Sequence, residues 1–105
     1  MGLFGKFKGK GIDEFVAEAK ERDIRIIDVR EPDEFAHGHI PGAVNVPLGS
    51  LESIASVAPD KAETLYVHCL GGVRSSRACK QLKSMGYTKA VNIGGIKSYR
   101  GPIER

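Results

Sequence analysis

Tryptophan is absent from the 105 residues, and cysteine occurs only twice. Two cysteines in such different settings are too few for a disulfide-stapled secreted scaffold. They also fit neither the paired spacing of a zinc site nor that of a thioredoxin-type redox motif. No long apolar run marks a secretory signal peptide. The amino-terminal stretch Met1-Gly-Leu-Phe-Gly-Lys-Phe-Lys-Gly-Lys10 instead mixes apolar and basic residues, and Lys6 stands where a myristoylation signal requires Ser or Thr. Residues 1–11 are expected to form an arm or first strand, with Leu3, Phe4 and Phe7 folded onto the domain rather than into a membrane. A cytoplasmic location is expected. A strong excess of one charge is missing as well: the formal net charge is +3, with acidic residues interspersed among the Lys and Arg. That balance calls for no nucleic-acid partner and suits a small anionic substrate. No repeat or low-complexity linker divides the chain, and 41% hydrophobic with 28% charged residues is ordinary for one globular domain.

Residues 68–77, His-Cys-Leu-Gly-Gly-Val-Arg-Ser-Ser-Arg, are the most informative stretch present. The run before them, over residues 64–68, is β-branched and aromatic enough for a strand. Residues 75–85 carry Ala78, Cys79, Leu82 and Met85 at helical spacing. Cys69 is therefore predicted at a strand-to-helix turn. Gly71 and Gly72 free the loop for conformations that turn successive N–H groups inward. The positive end of the helix and the charge of Arg74 further favour a sulfur anion, so Cys69 is expected to be a thiolate at neutral pH. Cys79 lies on the apolar side of the predicted helix and is expected in the core.

Elsewhere the pattern alternates strands with helices, as in a parallel sheet covered on both faces. A helix is expected from Ile12 through Phe15, Val16 and Ala19, and a buried strand over 24–28. A short helix has Pro32 in its first turn. There follow a strand over 43–46, a helix over 51–57, the strand ending at Cys69, its helix, and a last strand over 90–93. Ligands of such sheets bind beyond the carboxyl ends of the strands, which gathers Cys69, Asp28 and Arg30 on one rim. Asp28 and Arg30, two apart at a strand end, are read as a brace for the turn there, with Glu34 as a third member. His37 and His39 lack the further ligands a metal needs. His68 precedes Cys69 in the strand and points to the opposite face, so it is not expected to act as its base.

Together these segments resemble a single-domain rhodanese, a sulfurtransferase homology domain, across most of the chain from Ile12 to Ile96. The resemblance is carried by Ile27-Asp28-Val29-Arg30, by Asp33-Glu34-Phe35, and by Gly38-His39-Ile40-Pro41-Gly42-Ala43-Val44-Asn45-Val46-Pro47. The loop from Cys69 to Arg74 continues it, as do Met85-Gly86-Tyr87 and Asn92-Ile93-Gly94-Gly95-Ile96. It implies a three-layer α/β/α sandwich over residues 12–105, with a small, mainly parallel sheet of about five strands. It assigns His39 to a packed turn. Tyr99 stands where many relatives carry tryptophan.

The chemistry that the resemblance implies is sulfur transfer through a Cys69 persulfide, from a small anionic donor such as thiosulfate or from a persulfide. The acceptor is a thiophile: cyanide in an assay, a thiol or a protein in the cell. Leu70, Gly71, Gly72, Val73, Arg74 and Ser75 would bind the donor, with Asp28 and Arg30 in support, and no metal or organic cofactor is needed. Relatives committed to thiosulfate tend to carry basic residues just after the cysteine. Here Leu70 is neutral and Gly71 has no side chain, which leaves Arg74 as the one cation inside the loop and points towards a persulfide or polysulfide donor. Two other functions fit the sequence. One is a non-turnover persulfide carrier or partner-docking module. The other is a cysteine phosphatase or arsenate reductase, disfavoured because only four residues separate Cys69 from Arg74, one fewer than in the related phosphatases.

Overall fold

The structure is a computed structural model that describes residues 9–105, so the expectations for Leu3, Phe4 and Phe7 lie outside the described residues. Four strands pair in parallel in the order β2-β1-β3-β4: β1 is Arg25–Asp28, β2 Val44–Asn45, β3 Leu65–Cys69 and β4 Ala90–Gly95. The described residues thus hold one strand fewer than the expected five. The arm that was to supply a first strand enters them only at Gly9. The remaining pairing is an isolated antiparallel bridge between His39 and Glu104 near the carboxyl end.

Among the described residues four α-helices surround the sheet: α1 is Ile12–Arg22, α2 Pro32–His37, α3 Ile54–Val57 and α4 Val73–Ser84. Acidic Asp13 and Glu14 occupy the first turn of α1 and basic Lys20 and Arg22 the last, each complementing the local end of the helix dipole. The Glu14 carboxylate accepts the Gly11 N–H at 3.3 Å. The helix expected over 51–57 is split: residues 51–53 end a 3-10 helix, Leu48–Ser53, and the other four form the single α-helical turn of α3. A kink at Ser50 (φ −130°, ψ 38°) interrupts the 3-10 helix just before that span. At the far end of α4, Gly86 takes φ +103° and the Tyr87 N–H donates to the Leu82 carbonyl at 2.9 Å, which closes the helix.

Alternation along the strands divides the core in two. Ile27, Leu65, Val67 and Cys69 face α3 and α4, where they meet Ile54, Ala78, Cys79 and Leu82. Ile26, Tyr66 and Ile93 turn the other way, onto Ile12 and Ala19 of α1. Cys69 therefore ends the central strand on the α4 side, directly before that helix begins. Leu82 is fully buried among these residues. Replacing it with Ala is expected to destabilise the protein by about 2–5 kcal/mol, read as a lower urea midpoint with an unchanged slope. Lys80→Ala on the exposed side of the same helix is expected to stay within about 0.5 kcal/mol of the parent.

Candidate active site

Strand β3 pairs Cys69 with Gly95 of β4, and between Cys69 and the first turn of α4 the chain makes a tight loop. Gly72 enters the helix at φ +110°, which lies in the region that favours glycine. The loop rests on Gly95: a Cβ there would fall within 2.5 Å of the Gly71 Cα and collide with the Leu70 carbonyl. Glycine at 95 is therefore what lets the loop backbone close down over the end of the sheet. The Lys97 N–H fixes it from the other side by donating to the Leu70 carbonyl at 3.1 Å.

The sulfur lies inside this loop, and Cys69 is only 1% exposed. The Gly72 N–H donates to Sγ at 3.0 Å, and the Ser75 hydroxyl lies 3.3 Å away. Burial pushes the thiol up. The Ser75 hydroxyl and the backbone N–H groups of Ser75, Gly72 and Gly71 outweigh that and bring it below its ordinary value. The donors that reach the sulfur thus come from three residues of the predicted set. Ser75 in turn meets the Asn92 side-chain oxygen at 2.8 Å and the Gly72 carbonyl at 3.1 Å. Asn92 also accepts the Gly94 N–H at 3.0 Å and donates to the Gly72 carbonyl at 3.1 Å. A hydroxyl has one proton and two lone pairs. Facing a thiol, Ser75 donates to Asn92 and accepts from S–H; facing a thiolate, it turns its proton to the sulfur.

Arg74 does not stand alone. Its two terminal nitrogens donate to the two carboxylate oxygens of Glu34 at 2.7 and 3.0 Å, a bidentate pair between α4 and α2. The Glu31 N–H donates to the same carboxylate at 2.8 Å. The Arg74 guanidinium holds the Glu34 carboxyl down at about 2, against the opposing effect of burial. Asp28 and Arg30 form a second, buried pair. The Arg30 side chain donates to both carboxylate oxygens of Asp28 and, at 2.8 Å, to the Gly38 carbonyl. They brace the turn after β1 as expected, but Glu34 is not the third member; it belongs to Arg74.

A rhodanese-like domain model matches residues 12–101. The chain belongs to the rhodanese family. Among its relatives, it is 43% identical to the thiosulfate sulfurtransferase PspE of Escherichia coli over 72% of this chain and 74% of that one. It is 35% identical to the human thiosulfate:glutathione sulfurtransferase, over 77% of this chain and 80% of that protein. Among solved structures, a rhodanese with anions from E. coli superposes with a TM-score of 0.72 at 40% identity, covering 77% of this chain and 96% of that one. Sulfur transfer is the general function these relatives support.

The other residues singled out in the sequence of this rhodanese lie away from the sulfur or are engaged elsewhere. Burial raises the Cys79 thiol to about 11, which leaves it protonated at neutral pH. His37 and His39 each commit Nδ1 to a backbone carbonyl, of Asp33 and Phe35 respectively, and the His39 ring stacks on Phe35 at 3.8 Å. Among the described residues no three His, Cys, Asp or Glu side chains converge as metal ligands. His68 turns its Nδ1–H onto the Cys69 carbonyl at 3.1 Å, and burial pushes it below its ordinary value, so it is neutral at pH 7. Tyr99 packs on the α1 side of the core. Sequence reasoning assigned no chemistry to Asn92 or Lys97. Asn92 lay in the quoted Asn-Ile-Gly-Gly motif, but only the strand pairing places its amide beside Ser75.

Two outcomes follow from these hydrogen bonds. The pH profile of iodoacetamide labelling should place the Cys69 midpoint below that of an ordinary thiol, with Cys79 unlabelled. Ser75→Ala should move that midpoint upward, and an unmoved midpoint counts against the hydroxyl's role. For Glu34, a carboxyl depressed in the folded state stabilises above its unfolded value and loses that contribution as pH falls from about 4.5 towards 2. Glu34→Gln should remove that part of the acid limb in a pH series of denaturation midpoints.

Proposed function

We propose that this rhodanese transfers sulfane sulfur through a persulfide on Cys69, with thiosulfate or a low-molecular-weight persulfide as donor. The observation that carries this reading is the Cys69 sulfur held by the Gly72 N–H at 3.0 Å and by Ser75 at the mouth of α4. The Cys69 thiolate attacks the outer sulfur of thiosulfate. The Sγ–S bond forms as the S–S bond of the donor breaks, and the electron pair of that bond leaves with sulfite. No proton moves, and the negative charge ends on the terminal sulfur of the persulfide. Backbone N–H groups of the loop from Leu70 to Arg74 stabilise that charge as it develops, and Ser75 supports the anchoring sulfur. Arg74 orients the donor from its place beside Glu34. Cyanide or a thiolate then attacks the terminal sulfur, and Cys69 departs as thiolate.

The tight cover over Cys69 suits the slim end of a sulfur chain better than a tetrahedral oxyanion, in keeping with the short loop. Asp28 and Arg30 support the rim without touching the donor. The two free cysteines fit a reducing compartment such as the cytoplasm. A second reading, a persulfide carrier that docks a protein acceptor, draws on the exposure of Leu70 (46%) and Val73 (74%) flanking the loop.

Intact mass of the reduced protein before and after thiosulfate, with sulfite followed in the same tube, tests the mechanism. One added sulfur atom with matching sulfite, absent in Cys69→Ser, is the expected result. If polysulfide labels Cys69 while thiosulfate does not, the carrier reading gains. No labelling by either donor overturns sulfur transfer.

A further inference from the structure

Arg74 is the cation that the loop sequence offers an anionic donor, yet in the folded protein its charge is countered by the bidentate contact to Glu34. The structure supplies another cation from outside the loop. Lys97 sits in the 3-10 turn Ile96–Ser98, two residues beyond the Gly95 that pairs with Cys69. While its N–H holds the Leu70 carbonyl, its side chain doubles back over the loop. A methyl group placed at Gly71 would lie 3.6 Å from Lys97 Cε and 3.7 Å from Nζ. Among the described residues Lys97 joins no ion pair, and it is exposed. An ammonium outside every ion pair thus occupies the side of Gly71 where a side chain would stand, and the Gly71 N–H is among those that lower the Cys69 thiol.

We propose that Lys97 is the residue that binds the oxyanion end of the donor, in trans to the loop and in place of the basic side chain that Leu70 lacks. The assignment rests on the sulfur-transfer reading above and deepens it. Once the outer sulfur has entered the loop, the sulfonate oxygens must remain outside, at the rim where Leu70 and Gly71 meet solvent. Gly71 offers no side chain to screen them, and the flexible lysine stem delivers a compact, hydrated charge that can follow sulfite as it leaves. Arg74 then orients the donor from within the loop, while its pairing with Glu34 fixes α2 against α4. A donor without an oxyanion, such as an alkyl hydropersulfide that yields its outer sulfur to Cys69 and leaves as the alkyl thiolate, gains nothing from Lys97.

The test uses sulfate, which has the oxyanion but no sulfane sulfur, so that binding is read without turnover. At low ionic strength sulfate should slow iodoacetamide labelling of Cys69 in the parent protein. In Lys97→Gln the sulfate concentration needed should rise on the order of tenfold, about the effect of one charge-assisted hydrogen bond; Lys97→Arg should retain the protection. With thiosulfate, Lys97→Gln should raise KM by a similar factor and leave kcat near the parent value, while transfer from the alkyl hydropersulfide is unchanged. Equal protection in Lys97→Gln, or no protection in the parent, overturns the assignment. So does an equal loss with both donors, which would mark a role in shaping the loop. Protection that depends on Lys97 in a protein whose Cys69 gains sulfur from neither thiosulfate nor polysulfide would uphold the anion site and overturn sulfur transfer instead.

Discussion

The close approach of the Cys69–Gly72 backbone to Gly95 is the constraint on which the rest of the site depends. Hydrogen bonds to sulfur weaken quickly with distance and misalignment, so N–H groups from three residues converge on one atom only if the loop is pressed against a fixed floor. Strand β4 is that floor. Because Gly95 has no Cβ, the Leu70 carbonyl and the Gly71 Cα occupy space that any other residue would fill. The same strand supplies Asn92, which orients Ser75, and leads into the turn that carries Lys97. The order β2-β1-β3-β4 places β4 beside β3. Cys69 and its supports thus come from adjacent strands.

Two ion pairs frame this arrangement, with different consequences. Asp28 and Arg30 are buried, and the removal of either would strand the other's charge in the interior, so the pair fixes the turn after β1 whatever its net contribution to stability. Arg74 and Glu34 are each about a third exposed, with geometry that ties the start of α4 to α2. A cation drawn into such a pair no longer offers its full field to a substrate. The electrostatic character of the loop mouth therefore depends on neighbours that are distant in sequence.

His68 shows how the sheet separates functions over one residue. It sits next to Cys69 in the chain, yet its ring is packed against Asp28, with Nε2 3.7 Å from the carboxylate and without a hydrogen-bond partner. Burial keeps the ring neutral, and its donor is spent on the Cys69 carbonyl. The donors that favour the sulfur anion are instead backbone N–H groups and the Ser75 hydroxyl.

Much of this was legible in the sequence because it depends on local rules. Strand and helix periodicities placed β1, β3, α1 and α4 to within a few residues, and the Cys69–Arg74 spacing with its glycine pair marked the loop. Apolar spacing put Cys79 in the core. The short elements were less legible. The helix expected over 51–57 begins as the end of a 3-10 helix, and β4 runs past the expected 93 to Gly95, with glycine at 94 taking φ +107°. What only the tertiary structure decided were the partners across long sequence separations: Glu34 for Arg74, Asn92 for Ser75, and Lys97 over Gly71. A sequence records which residues are charged or polar and how neighbours on one element are spaced. Which of those charges cancel, and which remain free at the site, depends on strand order and on backbone approach distances of a few ångströms, and these exist only once the sheet has formed.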